Sequence, residues 1–154
     1  MPVVLQRIEA ARAGENPTVI ARLRSGWAVL GDHQHLRGYC LLLADPVVPR
    51  LNDLHGPNRR QFLDDMAMFG DVVLTVTGAL RINYEILGNL DPVLHAHLIP
   101  RYADEPADLR SRPAWFYDEA TMREHPFEPT LHRALMQAIH DELVARGAVP
   151  DTLA

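Results

Sequence analysis

Between Phe62 and Leu80 apolar residues recur at intervals of three and four: Phe62, Met66, Phe69, Val73, Val76 and Leu80. That spacing predicts one long helix with a single apolar stripe. Thr75, Thr77 and the neighbouring valines weaken its intrinsic helicity, so the helix persists only if the stripe is buried against another element. The flanking chain supplies a partner of the right kind. Trp27-Ala28-Val29-Leu30, a turn at Gly31-Asp32, and Tyr39-Cys40-Leu41-Leu42-Leu43, ended by Asp45-Pro46, read as two adjacent antiparallel strands. After the helix, Arg81 to Leu87 is again β-type, Gly88-Asn89-Leu90-Asp91-Pro92 is a turn, and Val93 to Pro100 is a further strand. The order predicts an α+β fold, an antiparallel sheet with a long packed helix and a C-terminal helical extension.

Three segments follow from the pattern. Residues 1–18 form an N-terminal helical appendage, with Val4, Ile8 and Ala11 at helical spacing from Val3 to Ala13 and Gly14 closing it. Residues 19–102 form the core. Residues 103–154 form a wrap and a helix on the same domain, the helix carrying Leu131, Leu135, Ile139 and Leu143 before Gly147 and Pro150 end it. A chain of 154 residues suits one domain. Its net charge of -5 argues against sequence-independent nucleic-acid binding but leaves room for a small anion site. Cys40 is the sole cysteine, which excludes an intramolecular disulfide and a multi-cysteine zinc cluster. No export signal or membrane-spanning stretch is read, and a reducing cytoplasmic setting is expected.

The chemistry concentrates in DPVLHAHLIPR, Asp91 to Arg101. Alternation along a strand sends His95 and His97 to one face with Val93 and Ile99, and Leu94, Ala96 and Leu98 to the other, toward the long helix. An imidazole near neutral pH is a nucleophile, a general acid or base, or a metal ligand, and the spacing alone leaves all three open. Gly88-Asn89 offers a turn whose backbone N–H groups can nest an anion beside the histidines. Asn83 adds an amide donor from the neighbouring strand. Arg101 is either electrostatic support for the site or a surface charge at the strand end. Arg110, Arg112, Trp115, Phe116 and Tyr117 form a cluster suited to closing over a ligand or to an interface.

Asn83 to Arg101, NYEILGNLDPVLHAHLIPR, resembles the signature of the histidine-triad superfamily of nucleotide hydrolases and transferases, related to dinucleoside polyphosphate hydrolases. GWAVLGDHQHLRGYCLLLADPVVPRLNDL resembles the same family's two strands and the short segment before its long helix. Registered on the Pro-Arg ending, the resemblance implies His95 as nucleophile toward the α-phosphorus of a nucleoside phosphoanhydride or phosphoramidate, through a nucleotidyl-histidine. It implies His97 as a phosphate-contacting partner and puts Val93 at the first histidine's position. Asp32 falls on the ribose-binding acid, Tyr39 on a position often held by histidine, Asn89 on a glutamine, and Leu90 on a hydroxyl residue. It further implies a homodimer through the long helix and a sheet edge, a nucleotide or nucleotide-derived ligand, and no required cofactor, with a divalent metal able to accompany a polyphosphate substrate.

Two other readings compete. Val93, Tyr39 and Leu90 in place of family groups suit a nucleotide-binding sensor or scaffold without turnover. His33 and His35 form a second alternating pair, and with His95 and His97 would supply a four-nitrogen metal site. His55, His125, His132 and His140 read as surface positions.

Overall fold

The computed structural model describes residues 1–151. Five strands, β1 (Val19–Arg22), β2 (Gly26–Leu30), β3 (Cys40–Ala44), β4 (Arg81–Glu85) and β5 (His95–Arg101), form one antiparallel sheet in the order β1-β2-β3-β5-β4. The helices are α1 (Val3–Arg12), α2 (Gly56–Thr77), α3 (Ala107–Arg110), α4 (Glu119–Arg123) and α5 (Pro129–Ala145). β5 lies between β3 and β4, so the histidine strand has hydrogen-bonded neighbours on both sides and its register is held from both.

One face of the sheet carries the main core. Leu42, Leu94, Ala96 and Leu98 meet Phe62, Phe69, Val72 and Val73 of α2, and Leu135, Ile139 and Leu143 of α5 join them. The α2 stripe is therefore real up to Val76. Leu80 departs from it: Gly78 takes a left-handed conformation (φ 68°) that ends the helix, and Leu80 lies beyond it, exposed. Leu131 likewise falls at the start of α5, outside the contact surface, and is exposed. Within α2, Gly70 is required by packing, since a Cβ there would lie 2.0 Å from the Tyr84 hydroxyl of β4. Asp65 is buried on the same helix and accepts from the Ser25 N–H (2.8 Å) and Oγ (2.6 Å), fastening the β1–β2 turn to α2.

The opposite face is covered in two parts. The N-terminal helix, expected as an appendage, buries Val4 and Ile8 against Val29, Leu43 and Val93. The Asp91 carboxylate accepts from the Val4 N–H at 2.8 Å, satisfying a donor at the helix start. Farther along β5, Ile99 packs with Leu36, Ala114 and Tyr117, which brings the wrap over the sheet. Among the described residues no helix is long and apolar enough to cross a membrane.

Candidate functional site

His95 and His97 sit on the face between these two covers, opposite Leu43 and Leu41 of β3. Their rings meet edge to face, centroids 4.9 Å apart. His95 is buried, and its Nδ1 lies 2.6 Å from the Val93 carbonyl oxygen. A carbonyl only accepts, so Nδ1 carries the proton and Nε2 keeps its lone pair. Val93 thus contributes its main chain to His95 while its side chain seals the seam under α1.

His97 is partly buried and bonds through Nδ1 to the Tyr39 hydroxyl at 2.6 Å. Burial, reinforced by His95, pulls its pKa down to about 4. Burial also pushes the Tyr39 phenol above its ordinary range, with the charge of Asp32 adding to it, so the hydroxyl keeps its proton. With Tyr39 donating to Nδ1, neutral His97 holds its own proton on Nε2 and is a hydrogen-bond donor rather than a cation. A phosphate-contacting role expected of His97 would then be that of a neutral donor.

His95 lines a 460 Å³ cavity with Gly88, Arg50, Asn52 and the backbone entering β5. Gly88 is therefore brought to the histidine, while Asn89 stands exposed in the turn and Leu90 is fully exposed. Asp32 and Tyr39 line a smaller, 160 Å³ cavity under α1, walled by Val29, Leu41 and Leu43. There Asp32, exposed, is paired at 2.7 Å with Arg7, which is partly buried.

Asn83 and Arg101 do not reach the histidines. β4 pairs Asn83 with Ile99 and Glu85 with His97, so Asn83 is two residues too far along the strand. Its Oδ1 accepts from Arg101 Nη1 at 2.9 Å. Arg101 is neither a site cation nor a surface charge. It is buried, paired with buried Glu105 at 2.9 Å, and donates to the carbonyls of Leu109 (3.0 Å) and Arg112 (2.6 Å). A buried guanidinium needs a carboxylate and filled donor sites, and the wrap supplies both. Burial works against the ionised Glu105, yet hydrogen bonds from Arg101, the Tyr102 N–H and Tyr117 hold its carboxyl below the usual range.

Glu85 is the neighbour that sequence reasoning missed, and Trp115, read there only as one of a cluster suited to closing over a ligand or to an interface, is its partner. Glu85 is the strand partner of His97, Trp115 Nε1 donates to its carboxylate, and the indole meets the His97 ring edge to face at 5.1 Å. Alternation along β4 puts Arg81, Asn83 and Glu85 on one face, but which of them meets His97 depends on the length of the following turn. Arg50 and Asn52 come from the segment before α2 and carried no local signal.

The four histidines are not gathered into one site: His33 bridges Pro126, and His35 packs edge to face on Tyr117 at 5.1 Å. Among the described residues no group of three or more His, Cys, Asp or Glu side chains is arranged to hold a metal ion.

No protein-family model matches the sequence, and no curated protein does. Solved structures do. A histidine triad protein from Sinorhizobium meliloti 1021 is 22% identical, with a TM-score of 0.69 over 81% of this chain and 88% of that one. A histidine triad protein from Marinobacter aquaeolei VT8 is 18% identical, with a TM-score of 0.70 over 82% and 88%. A hypothetical histidine triad nucleotide-binding protein from Sulfolobus tokodaii strain7 is 11% identical, with a TM-score of 0.70 over 91% and 92%. At these identities the likeness is one of architecture, and this chain has the histidine-triad-like α+β fold.

Proposed function

We propose that the protein is a nucleotide phosphohydrolase or nucleotidyl transferase in which His95 attacks the α-phosphorus of a nucleoside polyphosphate or phosphoramidate. The observation that carries the reading is the Nδ1–H bond to Val93, which leaves Nε2 its lone pair on a histidine that lines a 460 Å³ cavity. A cavity of that size suits a small organic ligand. The Nε2 pair forms a P–N bond as the bond from phosphorus to the leaving group breaks; a phosphate leaves as its anion, and an amine takes its proton from water. Water then breaks the P–N bond, releasing a nucleoside monophosphate and restoring the ring. His97 Nε2–H and the backbone at Gly88 donate to the phosphate oxygens as charge builds on them. Asp32 accepts from the ribose hydroxyls once Arg7 gives way, an exchange that costs little because exposed pairs of this kind contribute about 0–1 kcal/mol. The route needs no cofactor of the protein's own, and a divalent metal can accompany a polyphosphate substrate. The assembly we propose is a homodimer through the long helix and a sheet edge, which sedimentation velocity tests.

The decisive experiment supplies a dinucleoside polyphosphate and a nucleoside phosphoramidate to wild type and to His95→Ala. Wild type releases nucleoside monophosphate, and loss of the nucleophile lowers the rate by at least about 10³-fold. Quenched wild type carries the mass of one nucleotidyl group on the peptide containing His95. A second reading, binding without turnover, is favoured by Leu90, fully exposed where the family resemblance expects a hydroxyl residue. Tight binding with no release in wild type selects it.

A further inference from the structure

Buried polar atoms without a partner are rare in a folded chain, and each calls for a reason. Among the described residues four buried side-chain polar atoms have no hydrogen-bond partner, and three of them, His33 Nδ1 and both ring nitrogens of His35, lie in the loop joining β2 to β3. The two rings line a 70 Å³ cavity with Tyr39 on the loop side and Ala114, Trp115 and Met122 on the wrap side. This is the seam where residues 114–127 meet the loop. Two main-chain bonds cross it, from the Gln34 N–H to the His125 carbonyl (2.7 Å) and from the Phe127 N–H to the Asp32 carbonyl (2.8 Å).

The segment beyond the seam is lightly held. Of residues 114–127 only Ala114 and Tyr117 are buried, so little apolar contact opposes its release. The chain on either side is fixed, by the Arg101 bonds to the Leu109 and Arg112 carbonyls before it and by the packing of α5 in the main core after it. Between these anchors Asp118 caps α4, accepting from the Thr121 N–H at 2.7 Å, so the short helix keeps its shape without the sheet. The inward reach of the segment ends at the histidine site, where Trp115 bonds to Glu85 and its indole meets the His97 ring.

We propose that residues 114–127 are a lid on His97, latched shut by neutral His33 and His35 and released when the latch is protonated. As a regulation of that site, the proposal rests on the reading of His95 and His97 as the place where substrate reacts. A neutral imidazole carries one N–H and an imidazolium two, and the protein aims no acceptor at either nitrogen of His35. The groups that face this ring are His33 on its own loop, His125 and Tyr117 on the wrap, and Glu105 ahead of α3. Glu105 is the one acid among them, and Arg101, the Tyr102 N–H and the Tyr117 hydroxyl already occupy it. Burial, with His33 and His125 adding to it, pulls the His35 pKa below the ordinary 6.5, against the pull of Glu105. The released ring therefore takes its proton at a higher pH than the seated one. Closure is complete above pH 6.5 and weakens as pH falls from there toward the lowered value.

The test uses the full chain without substrate, as wild type and as His35→Phe, whose ring packs but takes no charge, with His33→Gln as a second variant and circular dichroism to verify the folds. Hydrogen exchange reads the seam directly through the amides of Gln34 and Phe127. Corrected for intrinsic exchange rate, their protection should fall in wild type by about tenfold between pH 7.5 and pH 5.5, the factor that one pKa unit of differential proton binding supplies, and stay level in His35→Phe. The amides of β5 should keep their protection in both. Carbethoxylation of His97 by diethyl pyrocarbonate, read by peptide mass, should run about tenfold faster in wild type than in His35→Phe at pH 5.5 and at equal rates at pH 7.5. Protection that holds steady in wild type, or falls equally in wild type and both variants, overturns the latch. A fall shared by β5 is acid unfolding of the whole chain and overturns the lid, as does equal labelling of His97 at pH 5.5. If the seam opens as expected while wild type releases no nucleotide, the lid stands and the nucleotide reading falls.

Discussion

His97 is the residue whose chemistry its surroundings change most. Its pKa of about 4 predicts that its ring carbons, followed by NMR, titrate near that pH and stay flat through 6.5, the ordinary histidine midpoint. Protonated His97 would then play no part in a neutral-pH rate profile. Tyr39→Phe removes the hydroxyl that holds the ring's Nδ1 and leaves the packing ring in place. We expect kcat to fall by about tenfold with the protein's stability nearly unchanged, since one net hydrogen bond contributes only about 0.5–1.5 kcal/mol. Arg7→Ala, by contrast, releases Asp32 and should lower KM for a nucleotide a few-fold while changing stability by less than about 1 kcal/mol. Unchanged KM would remove Asp32 from the ribose site. Local reading reached His95 and His97 because alternation along a strand is a property of the chain itself. It did not reach Glu85, nor the pairing of Glu85 with Trp115, which depends on strand register and on a wrap that returns from thirty residues away in sequence.

At the scale of elements, α2 holds the sheet that holds the histidines. Phe69 is fully buried between helix and sheet, and Phe69→Ala should cost about 3–5 kcal/mol in denaturant unfolding. The stripe that predicted α2 was legible because helical periodicity survives any tertiary arrangement. Its end was misjudged at Leu80 because apolar spacing continues past Gly78, where the backbone turns left-handed. The N-terminal helix was legible as a helix but not as a roof for the Val93 end of the site. What attaches it there, Asp91 to the Val4 N–H and Arg7 to Asp32, are contacts made 87 and 25 residues apart.

For the molecule as a whole, the buried Arg101–Glu105 pair joins sheet and wrap and makes stability sensitive to acid. The Glu105 carboxyl sits below its ordinary 4.5 in the folded chain, so the unfolded chain takes up the proton first as pH falls. The stabilisation is complete above pH 4.5 and is lost as pH drops through that value toward the depressed one. Glu105→Gln should flatten this part of the stability profile. It should also destabilise at neutral pH by about 3–5 kcal/mol, because the Arg101 charge stays buried without its partner. Thermal melts from pH 3 to 8 of wild type and variant check both.

By itself the sequence determined α1, α2, α5 and four of the five strands, their order, the two faces of β5 and the segment in which the chemistry lies, while β1, α3 and α4 went unread. What it determined follows from periodicities of 3.6 and 2 and from turn residues, which act over a few neighbours. Only the tertiary structure decided that Val93 supplies a carbonyl to His95, that Arg101 is a buried clamp, and that Asn83 serves Arg101 rather than the histidines. Strand register, burial of charge and hydrogen bonding to the main chain are long-range outcomes, settled when the sheet closes and the wrap lies down on it. Local spacing carries no information about them.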